Sequence, residues 1–186
     1  NTKFSQNKIY QIATDCVFSG RKGLYTENDF HDAEDVYGKT KSLGEVNNKN
    51  FFNIRTSIIG KELNSSKSLY EWFASQKDKA TLNGFKNHSW NGLTTKAFAI
   101  IVISIIENNI NIPNNIHIMP NDIISKHKML NLFKKKLNKN ISIKPTIAKT
   151  KVNRTLTTIY PKIVKKIWLG SKFKKIPKLK DLISEM

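Results

Sequence analysis

Short apolar segments alternate with helix-like segments along most of the chain, and this alternation constrains the fold more than any other feature. Residues 9–18 and 51–59 have the length and apolar content of buried strands. Between them, Asp35 is placed to cap a helix that spans residues 36–46. Strands that alternate with helices predict an α/β fold with a parallel sheet.

Beyond residue 60 the predicted elements become shorter and more mixed. The pattern predicts helices and short strands at 69–77, 94–108, 116–119, 125–137 and 141–147, and a last helix that opens at Pro177. In the helix at 69–77, Leu69, Trp72 and Phe73 should face inward. The pattern loosens around residues 61–67, so we expect a boundary between two lobes there.

Composition excludes several classes of protein. Hydrophobic residues make up 39% and aromatic residues 10%, as in folded globular proteins. No apolar run approaches the roughly 20 residues of a membrane-spanning helix, and residues 1–15 lack the features of a secretory signal. The single cysteine, Cys16, favours a reducing compartment, by default the cytoplasm. The four histidines are scattered without metal-ligand spacing, so we predict no metal site.

The net charge of +18 is unevenly distributed. Residues 121–186 hold 18 basic and three acidic residues, a net charge of +15. A nucleic-acid surface is one interpretation, but no arginine-rich segment, zinc spacing or aromatic RNA-binding signature accompanies the lysines. Two explanations compete with it, a solvated lysine-rich surface and long-range attraction of a diphosphate-bearing substrate. We favour the solvated surface over nucleic-acid binding.

Tyr37 and Lys41 form the first candidate for chemistry. They lie four residues apart, which places both on one face of the predicted helix. The pKa of a tyrosine is normally near 10, and a neighbouring cation lowers it by stabilising the phenolate. The spacing alone is weak, because 29 lysines and five tyrosines give about 0.8 chance matches.

Further motifs stand around this pair in a fixed order. They are Ala13-Thr14-Asp15-Cys16-Val17-Phe18-Ser19-Gly20, Tyr25-Thr26-Glu27, Val36-Tyr37-Gly38-Lys39-Thr40-Lys41, Gly44-Glu45, Ile54-Arg55-Thr56-Ser57 and Trp90-Asn91-Gly92-Leu93-Thr94-Thr95. In this order and spacing the chain resembles the extended short-chain dehydrogenase/reductase superfamily. The nearest branch is the dTDP-4-dehydrorhamnose reductase-like sugar-nucleotide reductases. The resemblance covers most of the chain and weakens after about Lys149.

The resemblance implies an α/β fold made of the C-terminal part of a Rossmann-type parallel sheet plus a smaller α+β substrate-binding lobe. Residues 1–62 would form the remaining part of the Rossmann domain with the catalytic residues. Residues 63–186 would form mainly the substrate-binding lobe, with elements that return to the Rossmann domain. The implied activity is reduction of a 4-keto (deoxy)sugar nucleotide, such as dTDP-4-dehydrorhamnose, by NADPH or NADH in the synthesis of cell-surface polysaccharide precursors.

The resemblance also implies roles for individual residues. Thr14 would orient the C4 keto oxygen, Tyr37 would donate a proton to it, and Lys41 would tune Tyr37 and bond the nicotinamide ribose. Arg55 would lie near the cofactor together with Tyr37 and Lys41. The substrate side would be lined by Thr14, Asp15, Phe18, Trp90 and Asn91. For Trp90, ordinary packing is an equally good alternative.

Two features depart from the family pattern. The glycine-rich dinucleotide fingerprint is absent, since none of the eight glycines has the required spacing. Ile58 stands where rhamnose-type reductases often have an aromatic residue, which leaves the identity of the sugar open.

Two explanations fit the missing fingerprint. The chain is either a fragment of an ordinary reductase or a natural short protein that binds sugar nucleotides as a noncatalytic or regulatory subunit. We favour the fragment, because a sheet without its first strands exposes an unpaired edge. By itself the chain should bind NAD(P) poorly. The expected partners are a nucleotide sugar and, as one option, a second copy of the chain in a homodimer, with no membrane.

Overall fold

Strands and helices alternate in the computed structural model, which describes residues 7–62 and 68–186. The strands are β1 (Ile9–Thr14), β2 (Phe51–Thr56), β3 (Ile58–Ile59), β4 (Thr81–Phe85), β5 (His88–Trp90), β6 (Leu93–Thr94), β7 (Asn115–His117), β8 (Ile124–Ser125), β9 (Ser142–Thr146) and β10 (Val152–Asn153). The helices are α1 (Val36–Leu43), α2 (Leu69–Ala74), α3 (Thr95–Glu107), α4 (Lys126–Leu137), α5 (Pro161–Gly170) and α6 (Leu179–Ser184). The predicted α/β fold with parallel strands is confirmed.

The first sheet is parallel and has the strand order β1-β2-β7. Ile9 pairs with Phe51 and Thr14 with Thr56, so β1 and β2 end level with each other. Helices α3 and α5 pack with this sheet in one apolar cluster, whose largest members include Phe52, Ile54, Phe98, Ile101, Ile105, Ile116, Ile167 and Trp168. The chain beyond residue 63 therefore returns to the first sheet through β7, α3 and α5.

A second apolar cluster joins α2, α4, α6 and the parallel pair β4 and β9. The Phe133 ring is its centre, with the Tyr70 ring centroid at 5.3 Å and the Phe73 centroid at 5.8 Å. Phe73 is buried as expected, but Trp72 is wrongly predicted to face inward, since it is 39% exposed. Helix α2 is short and turns Tyr70 inward instead.

Strand β1 differs from the prediction in length and burial. It ends at Thr14, not at residue 18, because the Thr14 side chain accepts a hydrogen bond from the backbone of Cys16 and starts a 3₁₀ turn over Asp15–Val17. Ile12 is 63% exposed, so β1 is not the fully buried strand that its sequence suggests. Within the described residues, β1 has a neighbour on one side only.

Three further predictions need correction or fall outside the structure. The strand at 51–59 splits at Ser57 into β2 and β3, which belong to different sheets. Helix α5 was not predicted, although its buried residues Val164, Ile167 and Trp168 have the i, i+3, i+4 spacing of an inward helix face. Most of the boundary expected at 61–67 lies outside the described residues.

None of the described helices is long and apolar enough to cross a bilayer.

Candidate functional site at the end of β1

The carboxyl end of β1 places Thr14 and Asp15 at the edge of the first sheet. The Thr14 Oγ1 accepts from the Cys16 amide at 3.2 Å and lies 3.4 Å from the Asp15 carboxylate. Asp15 is buried, and burial raises the pKa of its carboxyl group above the usual range. Thr14 is half-buried, so its hydroxyl lies at the boundary between the protein and solvent.

Helix α1 holds the tyrosine and lysine beside this strand end. The Asp35 side chain caps the helix by accepting from the Gly38 amide at 2.8 Å, as predicted. Gly38 faces the backbone oxygen of Cys16 so closely that a Cβ there would lie within 3.0 Å of it. This contact turns Tyr37 and Lys41 toward the mouth of the site, where the Lys41 ammonium lies 5.7 Å from the centroid of the Tyr37 ring.

The surroundings of Tyr37 have opposing effects on the pKa of its phenol. Burial, followed by the nearby charge of Cys16, raises the pKa of the Tyr37 phenol above 10. A hydrogen bond with the Thr14 side chain acts to lower that pKa. The net direction is opposite to the lowering expected from a neighbouring cation. The structure nevertheless brings Thr14, Tyr37 and Lys41 together, as the motifs suggested.

Arg154 enters the same site from the C-terminal third of the chain. Its guanidinium lies 3.5 Å from the Asp35 carboxylate and donates toward the Cys16 sulfur at 3.7 Å. Gly20 gives it room, because a Cβ at that position would lie 3.0 Å from the Arg154 side chain. Sequence reasoning missed this residue. Its only signal is that it is one of three arginines in a lysine-rich chain.

Arg55 is the centre of a buried network behind α1. Its guanidinium pairs with the Glu45 carboxylate and contacts the Nε2 atoms of His117 at 2.6 Å and His31 at 2.9 Å. The Arg55 side chain is 3% exposed, so the guanidinium itself is shielded from water, whereas the His31 side chain is 25% exposed. The cofactor role expected for Arg55 stays a prediction. In this chain the residue ties α1, β2 and β7 together.

Hydrogen bonds determine the tautomers of both histidines. His117 Nδ1 faces the backbone oxygens of Tyr25 and Thr157 at 3.1 and 2.9 Å, so Nδ1 carries the proton. Its Nε2 must then accept from Arg55, as His31 Nε2 also does. Both rings are therefore neutral. Burial and the Arg55 charge lower the pKa of His31, and they lower that of His117 to about 4.

This arrangement predicts loss of stability in acid. The pKa of His117 rises from about 4 in the folded state to about 6.5 on unfolding, so the unfolded chain binds more protons in this interval. The free energy of unfolding should therefore fall as the pH drops from about 6.5 toward 4. Glu27 and Arg55 are the charged groups that face His117, with opposite effects on its pKa.

Urea unfolding at a series of pH values checks this prediction through a comparison with His117→Gln, whose amide accepts from Arg55 without titrating. The raised pKa of Asp15 favours the folded state in acid, so the difference between the two proteins isolates His117. The stability advantage of the wild type over the variant should shrink between pH 7 and 5. Parallel pH profiles would contradict the assignment.

Three residues predicted to line the substrate side have packing contacts. The Phe18 ring is fully buried and stacks on Tyr25, with 4.2 Å between ring centroids. Trp90 is half-buried against the second apolar cluster. The Asn91 amide donates to the Leu156 carbonyl at 2.8 Å and accepts from the Leu156 amide at 2.9 Å. Their substrate roles stay predictions.

The residues present fit only one end of a nicotinamide dinucleotide. Tyr37 is 54% exposed, and within the described part of the chain Lys41 makes no ion pair, so both are available to a ribose. The glycines after β1 are not available to a diphosphate. A Cβ at Gly23 would overlap Asn153, and Gly20 packs on Arg154. The described residues thus contain no glycine-rich turn for the diphosphate. They also contain no cluster of metal-ligating side chains.

Solved structures with this fold include three sugar-nucleotide reductases. The dTDP-4-dehydrorhamnose reductase of Yersinia enterocolitica gives a TM-score of 0.73 at 17% identity, over 96% of this chain and 65% of that one. The orthologue from Clostridium acetobutylicum gives 0.70 at 20% identity, over 96% and 64%. The Bacillus anthracis enzyme, in complex with NADP, gives 0.72 at 16% identity, over 96% and 64%. At these identities the likeness shows the fold alone.

The extent of the chain and its family follow from these comparisons. The chain spans 64–65% of the length of these structures. A search of curated proteins finds no match. Residues 2–165 match the family model of the RmlD substrate binding domain. Because that match covers most of the sequence, the chain belongs to the RmlD substrate binding domain family.

Proposed function

We propose that this chain supplies the substrate side and the proton donor for NAD(P)H-dependent reduction of a 4-keto deoxysugar nucleotide, such as dTDP-4-dehydrorhamnose. The observation that carries the proposal is the convergence of Thr14, Tyr37 and Lys41 at one strand end, within a chain of this family. The solved reductases with the same fold support the substrate class.

The chemistry assigned to the three side chains is a proton transfer to the keto oxygen. The Thr14 and Tyr37 hydroxyls hydrogen-bond the C4 oxygen, and the Tyr37 O–H bond breaks as the new O–H bond forms on the product. When bound, the reduced nicotinamide supplies the hydride that adds to C4, which completes the conversion of C=O to CH–OH. The Lys41 ammonium stabilises the phenolate that Tyr37 becomes.

A raised Tyr37 pKa is consistent with this direction of reaction. A phenol whose pKa lies above its usual value near 10 is protonated at neutral pH, so the donor is in the correct state for the transfer. The Lys41 ammonium beside the ring then stabilises the negative charge that develops on the Tyr37 oxygen during the transfer. The excess of positive charge in residues 121–186 would attract the substrate diphosphate over long range.

Cofactor binding requires more than the described residues. We propose that a strand–turn–helix unit pairs in parallel with the open side of β1 and holds the dinucleotide diphosphate. The exposed Ile12 on β1 and the lack of a suitable turn within the described residues support this proposal. The chain should bind NADPH or NADH weakly alone, and more tightly when the nucleotide-binding half of the Yersinia reductase precedes residue 7.

Substitution of Tyr37 tests the proposed function in that fused protein. With dTDP-4-dehydrorhamnose and NADPH, Tyr37→Phe should slow NADPH oxidation by at least about 100-fold, since it removes the proton donor without changing the ring. Tyr160→Phe, at the start of α5, is the matched control and should retain the rate. The rate of NADPH oxidation, measured by absorbance, gives the answer.

Two outcomes would count against the proposal. Turnover by Tyr37→Phe at the rate of the unsubstituted protein would remove Tyr37 from the reaction. A fused protein that binds NADPH and the nucleotide sugar without turnover would favour a noncatalytic sugar-nucleotide-binding subunit.

A further inference from the structure

Helix α1 has two neighbouring stripes of side chains with different surroundings. Gly38 and Ser42 lie four residues apart and face the protein, while Tyr37 and Lys41 lie on the adjacent stripe toward the site mouth. The position of the inner stripe therefore decides where the outer stripe points. A small roll of the helix about its axis would move both the phenol and the ammonium.

The inner stripe is held at both ends. At its first turn, Gly38 packs on the Cys16 backbone. At its last turn, the Ser42 hydroxyl lies 2.7 Å from His31 Nδ1. His31 Nε2 accepts from Arg55 at 2.9 Å, so His31 Nδ1 carries the proton and donates it to Ser42. One imidazole thus connects the helix to the buried guanidinium.

The guanidinium end of this connection is buried and held by further contacts, whereas the hydrogen bond between His31 and Ser42 lies at the surface. Arg55 lies on the central strand β2, and its guanidinium is fixed by the Glu45 carboxylate just beyond α1 and by the His117 ring on β7. The Arg55 guanidinium also lies 5.3 Å from the centroid of the buried Phe18 ring. His31 is the only described side chain that hydrogen-bonds both to this guanidinium and to a residue within α1.

We infer that His31 is a positioning residue, which sets the roll of α1 through Ser42 and so aligns Tyr37 and Lys41 with Thr14. This inference rests on the proposed function only in its claim that the alignment of Tyr37 and Lys41 with Thr14 serves proton transfer. The mechanical link between His31 and α1 is a property of the chain itself.

Amide hydrogen exchange and the titration of Tyr37 test the inference on the whole chain, without cofactor or substrate. In His31→Ala, the amides at the C-terminal end of α1, including the Gly44 N–H that caps the helix by bonding Thr40, should exchange about tenfold faster, the equivalent of one lost hydrogen bond. The Tyr37 phenol, observed by NMR with labelled tyrosine, should titrate at lower pH because the loosened helix exposes it. Amides of α4 should be unaffected.

Three variants serve as controls. His31→Gln keeps an acceptor for Arg55 and a donor for Ser42, so it should restore slow exchange in α1. His127→Ala removes a histidine on α4 and should change neither readout. Ser42→Ala cuts the link from the helix side and stays informative if His31→Ala does not fold. Alanine is the better helix former, so faster exchange in that variant reports the lost contact.

The outcomes separate the two proposals. Unchanged α1 exchange and an unchanged Tyr37 titration in both His31→Ala and Ser42→Ala would overturn the positioning role, whatever the activity of the protein. If α1 responds as expected but Tyr37→Phe has full activity in the fused protein, the proposed function fails and the positioning role stands.

Discussion

Replacement of Arg55 by methionine is expected to lower the free energy of unfolding by about 3–5 kcal/mol, the range found when one partner of a buried ion pair is removed. Methionine fills much of the space but leaves the Glu45 carboxylate, which is 9% exposed, without its cation. It also leaves the Nε2 atoms of His31 and His117 without their donor. Unpaired buried polar atoms account for most of the expected loss.

Urea unfolding of the wild type and of Arg55→Met measures this effect. Arg21→Met is the matched control, because Arg21 also pairs with a glutamate, but with side-chain exposures of 73% and 70%. That surface pair should contribute at most about 1 kcal/mol. Equal losses in the two variants would contradict the central position that we assign to Arg55. Failure of Arg55→Met alone to fold would agree with it.

Replacement of Gly38 by alanine is the second change with a large expected effect. Alanine in a helix interior is normally favourable over glycine by about 1 kcal/mol. Here the new methyl group would lie closer than 3.0 Å to the Cys16 backbone oxygen and to the Ala33 side chain, and the backbone oxygen cannot rotate away. Overpacking of this kind costs about 1–3 kcal/mol or more. The collision should therefore exceed the gain in helix propensity and push α1 outward.

The displacement matters more for chemistry than for stability. A shift of about 1 Å in a reacting group can slow catalysis by about 100-fold, so Gly38→Ala should greatly reduce turnover in the fused protein. Gly44→Ala is the matched control, since its new methyl group meets nothing closer than 3.5 Å and its φ of −79° suits alanine. Normal activity in Gly38→Ala would show that α1 does not need this close approach.

The start of α1 and the common face of Tyr37 and Lys41 could be predicted because the relevant interactions are local, although the helix ends at Leu43 and not at residue 46. Asp35 caps the helix within the same segment, and the four-residue spacing of Tyr37 and Lys41 fixes their common face. The end of β1 was harder to predict. The apolar run continues to Phe18, and only the hydrogen bond from the Cys16 amide to Thr14 shows where the strand stops.

The network around Arg55 could not be predicted, because its members come from distant parts of the chain. His31 and His117 have no periodic relation, and their common partner lies on another strand. Arg154 reaches the site through a return of the chain past Gly20 that no local pattern signals. Sequence patterns describe helices and strands well, whereas contacts between distant segments depend on how those elements stack.

The bond between Asn91 and Leu156 has a consequence for the synthesis of the protein. It joins residues 65 positions apart. The Glu27 carboxylate likewise accepts a hydrogen bond from the Thr158 hydroxyl, 131 positions later. While the ribosome is still adding the C-terminal third, the buried Asn91 amide lacks its Leu156 partner and the half-buried Glu27 carboxylate has only the His117 amide, although β1, α1 and β2 have already emerged. The early part of the site must therefore persist incomplete during translation, and a nascent chain released before residue 156 would expose it to proteases.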